Sequence, residues 1–168
     1  MPEKYPTETE HSKLPETTLG PLVLKATDDY GGLLQDAKGK YWRFRAKNRQ
    51  WNPFTIEEAS TYHMENAEPQ KENMAFDNIW KASSYLIRRG YEKMLPIFQN
   101  ILKKEMQRAK QDQDIKQITN CQRIIEFYNK LIPLLKSVEE ATEVQLPKAV
   151  RQLETGLKEY DNWDTLKF

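Results

Sequence analysis

The sequence predicts an α+β fold that is mainly α. An antiparallel bundle of about three long helices is preceded by a small β-hairpin or meander and one short helix. Three observations predict it. From Phe76 almost to the C-terminus, apolar residues recur every three or four positions. Upstream, the short apolar runs Leu22–Ala26 and Leu33–Gln35 are separated by Gly31-Gly32. Between these regions stands Thr55-Ile56-Glu57-Glu58, in which a threonine and a glutamate three residues apart can each satisfy the other's backbone N–H at a helix start.

Residues 1–20 are rich in Pro, Thr and Glu and nearly lack large apolar side chains, so a flexible tail is expected there. Leu14-Pro15-Glu16-Thr17 begins like a sortase signal, but Thr18 follows instead of glycine and no membrane anchor comes after it. Residues 21–68 form the β region with its short helix. Asp36 and Gly39 suit the first and fourth positions of a type I turn, and the returning strand should run from Lys40 to Asn48. That gives a hairpin, extended to a three-stranded meander. The short helix should cover residues 56–67.

The bundle occupies residues 74–162. Its first stripe is Phe76, Ile79, Trp80, Ile87, Tyr91, Met94, Leu95, Phe98, Ile101, Leu102 and Met106, with Gly90 and Pro96 predicting a kink or break. At Lys110–Asp114 the apolar phase shifts, which places a turn there; one continuous helix through residues 91–136 is the competing possibility. The second stripe is Ile115, Ile118, Cys121, Ile124, Ile125, Tyr128, Leu131, Ile132 and Leu135. Ser137-Val138-Glu139-Glu140 repeats the capping pattern and should start a last helix, with Pro147 as a bend. Residues 163–168 form a C-terminal tail, Trp163-Asp164-Thr165-Leu166-Lys167-Phe168, that mixes apolar anchors with an acid.

Composition narrows the function classes. No apolar run approaches the roughly 20 residues that span a bilayer, so no membrane association is expected. The N-terminus is acidic and lacks the apolar centre of a secretory signal. Cys121 is the single cysteine, which leaves no intrachain disulfide and no cysteine-based zinc site. A cytoplasmic protein is expected. Cys121 falls on an apolar helical stripe and reads as a buried thiol. His11 and His63 are isolated, and Asp112 with Asp114 lacks the glycine and the distal glutamate of a calcium loop. Asp28-Asp29 beside Tyr30-Gly31-Gly32 is turn chemistry. No Gly-rich phosphate loop and no nucleophile motif is present. Neither an enzyme, a cofactor nor a small-molecule substrate is expected.

Charge is distributed unevenly. The net charge is only +1, yet residues 38–51 hold six bases and no acid. If residues 40–48 are a strand, alternation puts Trp42, Phe44 and Ala46 on one face and Tyr41, Arg43, Arg45, Lys47 and Arg49 on the other. The first face packs on the helices. The second is a row of like charges about 6.6 Å apart, which something acidic should offset: another part of the chain, an acidic protein, or phosphates. Arginine suits bidentate contact with phosphate or carboxylate, and Tyr41 and Trp51 could stack bases. Arg88, Arg89, Lys103 and Lys104 on the first long helix extend the basic surface. The leading expectation is therefore a non-catalytic accessory subunit that contacts RNA or DNA through its backbone within a larger complex. The alternative is a protein–protein adaptor or assembly protein that uses a surface of the helical bundle.

Overall fold

The computed structural model describes residues 19–47, 49–66 and 74–161. The tails expected at residues 1–20 and 163–168 lie almost wholly outside these. Leu19, the first described residue, is half-buried against the core. The architecture is α+β and mainly α, as the periodicity predicts. A five-stranded antiparallel sheet in the order β4-β3-β2-β1-β5 carries one short helix on one face and three longer helices on the other.

The strands are β1 (Leu22–Asp28), β2 (Gly31–Asp36), β3 (Tyr41–Arg45), β4 (Gln50–Phe54) and β5 (Met74–Phe76). The expected meander is thus enlarged by two strands. β4 contains Pro53, which cannot donate to a ladder and is tolerated because β4 is an edge strand. β5 is only three residues long and pairs Met74, Ala75 and Phe76 with the start of β1. Phe76, counted as helical by its spacing, belongs to it.

The β2–β3 turn forms as expected. Gly39 has φ +85°, its N–H donates to the Asp36 carbonyl at 3.0 Å, and the Asp36 carboxylate accepts from the Lys38 and Lys40 N–H groups. A bulge at Lys25 breaks the alternation of β1. Leu22 and Leu24 therefore point to the main core, whereas Ala26 points to the other face beside Leu33.

The short helix α1 spans Ile56–Asn66, and its capping box is realised. The Thr55 N–H donates to Glu58 Oε1 at 3.0 Å, and the Glu58 N–H donates to Thr55 Oγ1 at 3.1 Å. Its buried residues Ala59 and Tyr62 close a small second core with Ala26 and Leu33, flanked by Tyr41 and Phe54.

The long helices are α2 (Ile79–Met106), α3 (Ile115–Glu140) and α4 (Leu146–Asp161). Gly90 and Pro96 do not break α2. Pro96 lies on the exposed side, where the carbonyl it leaves unpaired can be hydrated. The turn at residues 107–114 is real, so α2 and α3 are an antiparallel hairpin and not one continuous helix. Asp114 caps α3 by accepting from the Gln117 N–H at 3.1 Å, and buried Glu105 accepts from the Asp114 N–H at 2.6 Å.

The capping pattern at Ser137–Glu140 misleads. Ser137 Oγ instead donates back to the Pro133 carbonyl within α3. The working box comes later. The Thr142 N–H donates to Gln145 Oε1, and the Gln145 N–H donates to Thr142 Oγ1. Pro147 then sits in the first turn of α4, where its missing N–H costs nothing and no bend results.

Among the described residues no helix is long and apolar enough to cross a membrane.

Candidate interaction surfaces

The basic strand can now be placed side chain by side chain. Partners across the ladder share a face: Gly32, Phe44 and Trp51 lie together, as do Leu34, Trp42 and Pro53. Trp42 and Phe44 are buried against the helices, as alternation predicts. Trp51 joins them, fully buried, its ring centroid 4.9 Å from that of Phe44 and its Nε1–H donating to Ser83 Oγ of α2 at 3.0 Å. It is a core residue and presents no ring to a base.

The other face of β3 is not a solvent surface, because α1 covers it. Arg43 is only 5% exposed. Its Nη2 pairs with Asp28 Oδ2 at 2.8 Å, and its Nη1 donates to the Phe44 carbonyl. Its Cζ lies 5.0 Å from the centroid of the Tyr62 ring. Asp28 also accepts from the Tyr30 N–H at 2.7 Å, and its carbonyl accepts from Arg89 Nη1 at 3.0 Å. The acid that the row of bases calls for is thus supplied by the chain itself. Gly31 makes room for it: a Cβ there would stand 2.7 Å from Arg43 Nη1 and collide with the Phe44 carbonyl.

The remaining members of the row are scattered. β3 ends at Arg45, before the expected strand end at Asn48. Beyond it the chain turns, Arg49 adopts φ +54°, and its side chain is buried. Tyr41 is half-buried against α1. Arg45 and Lys47 remain exposed. The row that alternation would put on one surface is thus divided between an interior node, a turn and two exposed bases.

Tyr62 roofs this node. Its hydroxyl is buried without a well-formed hydrogen bond among the described residues, and burial, reinforced by the nearby Asp28 carboxylate, pushes its pKa up against the opposing pull of Arg43. A phenol kept neutral in the fold ionises first in the unfolded chain. Its contribution to stability is therefore intact below the ordinary tyrosine pKa of about 10 and is lost as pH rises above it. Tyr62→Phe should change stability by less than about 1 kcal/mol at pH 7, because no well-formed hydrogen bond is lost. It should also blunt the alkaline unfolding, and urea melts at pH 7 and pH 11 check both.

The helix bases separate in the same way. Arg88 makes a bidentate pair with Glu139 at 2.6 and 2.8 Å and also reaches Glu92 at 3.1 Å. These partners, Glu139 foremost, hold it protonated more firmly than an ordinary arginine. Arg89 is tied to the β1–β2 corner, and Lys93 pairs with Asp29 of the same corner. Lys103 and Lys104 are exposed near the distal end of α2, one turn before Arg108, and Lys110 follows in the connection to α3.

A second surface emerges from the α2–α3 hairpin. At about 100° per residue, the side of α2 that meets the sheet is defined by Ser83, Leu86, Arg89 and Lys93, through Trp51, Gly32, Asp28 and Asp29. Leu95, Leu102 and Met106 lie about 180° away from that side. On α3, Leu131 and Leu134 meet α4 at Gly156. Ile115, Ile118, Ile125 and Ile132 lie about 170° away from these. The Arg88–Glu139 pair, one heptad from Leu95 and from Ile132, sets these two columns against each other along one edge of the α2–α3 contact.

That face is partly open to solvent. Met106 is 55% and Ile115 64% exposed at the hairpin tip, whereas Leu95, Leu102, Ile125 and Ile132 are half-buried and Ile118 is buried. The signal was present in the sequence. The apolar positions of distal α2, from Ile97 through Phe98 to Met106, span about half the helix circumference, wider than one neighbouring helix needs. Because a stripe is usually assigned to the core, its excess width is easily passed over.

Two features complete the survey of the surface. A shallow depression on α1 is lined by Phe54, Glu57, Glu58, Thr61, Tyr62 and Glu65, acidic around two aromatic rings. Cys121 is buried, and burial, with a lesser push from Glu105, raises its thiol pKa, which disfavours a reactive thiolate. No family model, curated protein or solved structure matches the chain.

Proposed function

We propose that this protein is a non-catalytic assembly protein that binds another protein through the outer face of its α2–α3 hairpin. One observation carries this. Met106 and Ile115 stand exposed at the end of a half-buried apolar stripe, Leu95, Leu102, Ile125 and Ile132, that runs along one edge of two packed helices. An apolar edge along two packed helices at this spacing is a surface on which a third helix can lie. The most exposed members, Met106 and Ile115, give up their apolar contact with water only when something covers them.

A second function, contact with a nucleic-acid backbone, is favoured by a different observation. Lys103, Lys104, Arg108 and Lys110 stand exposed together at the hairpin tip, and Arg45 and Lys47 are exposed at the end of β3. Such contact would be independent of sequence and steeply salt-dependent.

Photo-crosslinking tests the assembly role. A photoreactive residue at Leu102 or Ile125 in the full chain, expressed in cells, should trap a protein adduct that survives nuclease. The same probe at Arg45 should trap far less. Loss of every adduct to nuclease, together with binding of labelled RNA that collapses between low and physiological salt, would replace the assembly role with the nucleic-acid one.

A further inference from the structure

We infer that the ledge where α2 projects past the end of the sheet binds single-stranded nucleic acid. Tyr30 stacks one base, and Arg45, Lys47 and Lys104 hold phosphates. This rests on the second function given above and names its strand state and its path.

The ledge follows from the register of α2 on the sheet. Ser83, Leu86 and Arg89 meet the sheet at Trp51, Gly32 and Asp28 in turn. At Lys93 the contact falls on Asp29, in the β1–β2 corner. The helix then runs thirteen residues further to Met106, about 20 Å at 1.5 Å per residue. On that stretch Ile97, Asn100 and Lys104 lie within about 40° of Lys93 around the helix, and all three are exposed. The side of α2 that seats the sheet therefore continues into solvent beyond it.

The end of the sheet completes the ledge. The Tyr30 carbonyl accepts from the Ala46 N–H at 2.8 Å, and Gly31 pairs with Arg45, so the exposed bases at the end of β3 stand beside Tyr30. Tyr30 is 71% exposed, yet its backbone is fixed. Its N–H donates to Asp28 Oδ1, and Asp28 is held in turn by Arg43 and Arg89. A ring carried on a fixed corner loses little freedom when a base stacks on it.

Charge and the ring together choose the occupant. The acid of the corner, Asp29, is paired by Lys93, and Arg108 reaches Glu105. Arg45, Lys47 and Lys104 set the sign of what remains, and phosphates meet that sign. An acidic peptide would satisfy the bases and leave the ring unused. A base inside a duplex keeps its faces for its neighbours, so the ring calls for an unpaired strand.

The experiment is fluorescence anisotropy of the full chain with a labelled single strand of about 12 nucleotides, a length one small binding surface can cover, and with the matching duplex. The single strand should bind more tightly. Three phosphate contacts give a slope of about −2.1 in log affinity against log salt, or about a twenty-fold loss between about 50 and about 200 mM. Tyr30→Ala should weaken binding about tenfold and leave that slope unchanged. Lys104→Ala and Arg45→Ala should each reduce the slope by about 0.7. Lys148→Ala, at an exposed position of α4, should leave affinity and slope as they are. The substituted residues are all exposed, so the midpoint of urea unfolding should stay in place.

A duplex that binds as tightly as the single strand overturns the inference, as does a Tyr30→Ala variant with wild-type affinity. The nucleic-acid function survives that second result when Lys103→Ala and Lys104→Ala weaken binding equally, which puts the contact at the hairpin tip alone. No binding at about 50 mM salt removes both. An Arg45 photo-probe that traps a nuclease-resistant protein adduct gives the ledge to an acidic protein instead.

Discussion

Replacing Arg43 with alanine should destabilise the fold by about 3 kcal/mol, the low end for breaking a buried ion pair. Urea denaturation at pH 7 is the measurement. The cost arises less from losing the Arg43–Asp28 attraction than from what stays behind. Asp28 would keep a carboxylate with a side chain only 19% exposed and no counter-charge at 2.8 Å. The Phe44 carbonyl would lose a donor and the Tyr62 ring its cation. Because Asp28 retains some access to water and still accepts from the Tyr30 N–H, the penalty stays near the low end.

Two comparisons sharpen the result. Arg45→Ala, two residues along the same strand but exposed, should fall within about 0.5 kcal/mol of wild type. Arg43→Met with Asp28→Asn should recover much of the loss, since removing both charges abolishes the desolvation cost of each. Equal effects at Arg43 and Arg45 would mean that α1 does not cover this face. The consequence for function is direct. A charge-reversed Arg43 would lose nucleic-acid binding by unfolding, so only Arg45, Lys47 and the bases at the hairpin tip can report on such binding.

How much of this was legible in the sequence depends on which physical signal was local. The two capping boxes that work, Thr55–Glu58 and Thr142–Gln145, each lie within four residues, but Ser137–Glu140 has the same composition and is overruled. There the apolar stripe of α3 runs on through Val138, which is fully buried, so helix continuation outweighs one capping hydrogen bond. β4 and β5 were illegible for a related reason. Their pairing depends on partners far along the chain, and neither a proline-containing strand nor a three-residue one has a local pattern.

The basic row shows the limit for sites. Alternation correctly separates Trp42 and Phe44 from Arg43, but it cannot say what lies over the second face. That depends on the tertiary placement of α1, some fifteen to twenty residues downstream, whose Tyr62 seals Arg43 from solvent. Composition showed that six bases needed an acid; only the fold shows that Asp28 on β1 answers for one of them. The outer face of the hairpin lies between these cases. Its residues are all in the sequence stripes, but that only Met106 and Ile115 stay largely exposed depends on how α2 and α3 pack on each other.

Trp51→Ala should be at least as costly as Arg43→Ala, about 3–5 kcal/mol. Trp51 is fully buried on an edge strand, yet it holds that strand to α2 in two ways. Its ring packs on Phe44, and its Nε1–H reaches Ser83 Oγ at 3.0 Å. Alanine would leave a cavity next to Phe44, and the sheet can only partly collapse into it because Phe44 is paired with Gly32 in the adjacent strand. It would also leave the Ser83 hydroxyl, itself fully buried, without its donor.

Trp51→Phe isolates the two contributions. It keeps most of the ring volume and loses the hydrogen bond, so about 1–3 kcal/mol should remain. A change at Trp51 that lowers nucleic-acid affinity without lowering the midpoint of urea unfolding would contradict its burial. The expected pattern is the reverse, in which any loss of binding tracks the loss of folded protein. Expected losses of this size at Trp51 and Arg43 make the β3–β4 ribbon part of the framework. They leave the exposed end of the α2–α3 stripe, Met106 and Ile115, as the place where the proposed interaction can be tested without cost to the fold.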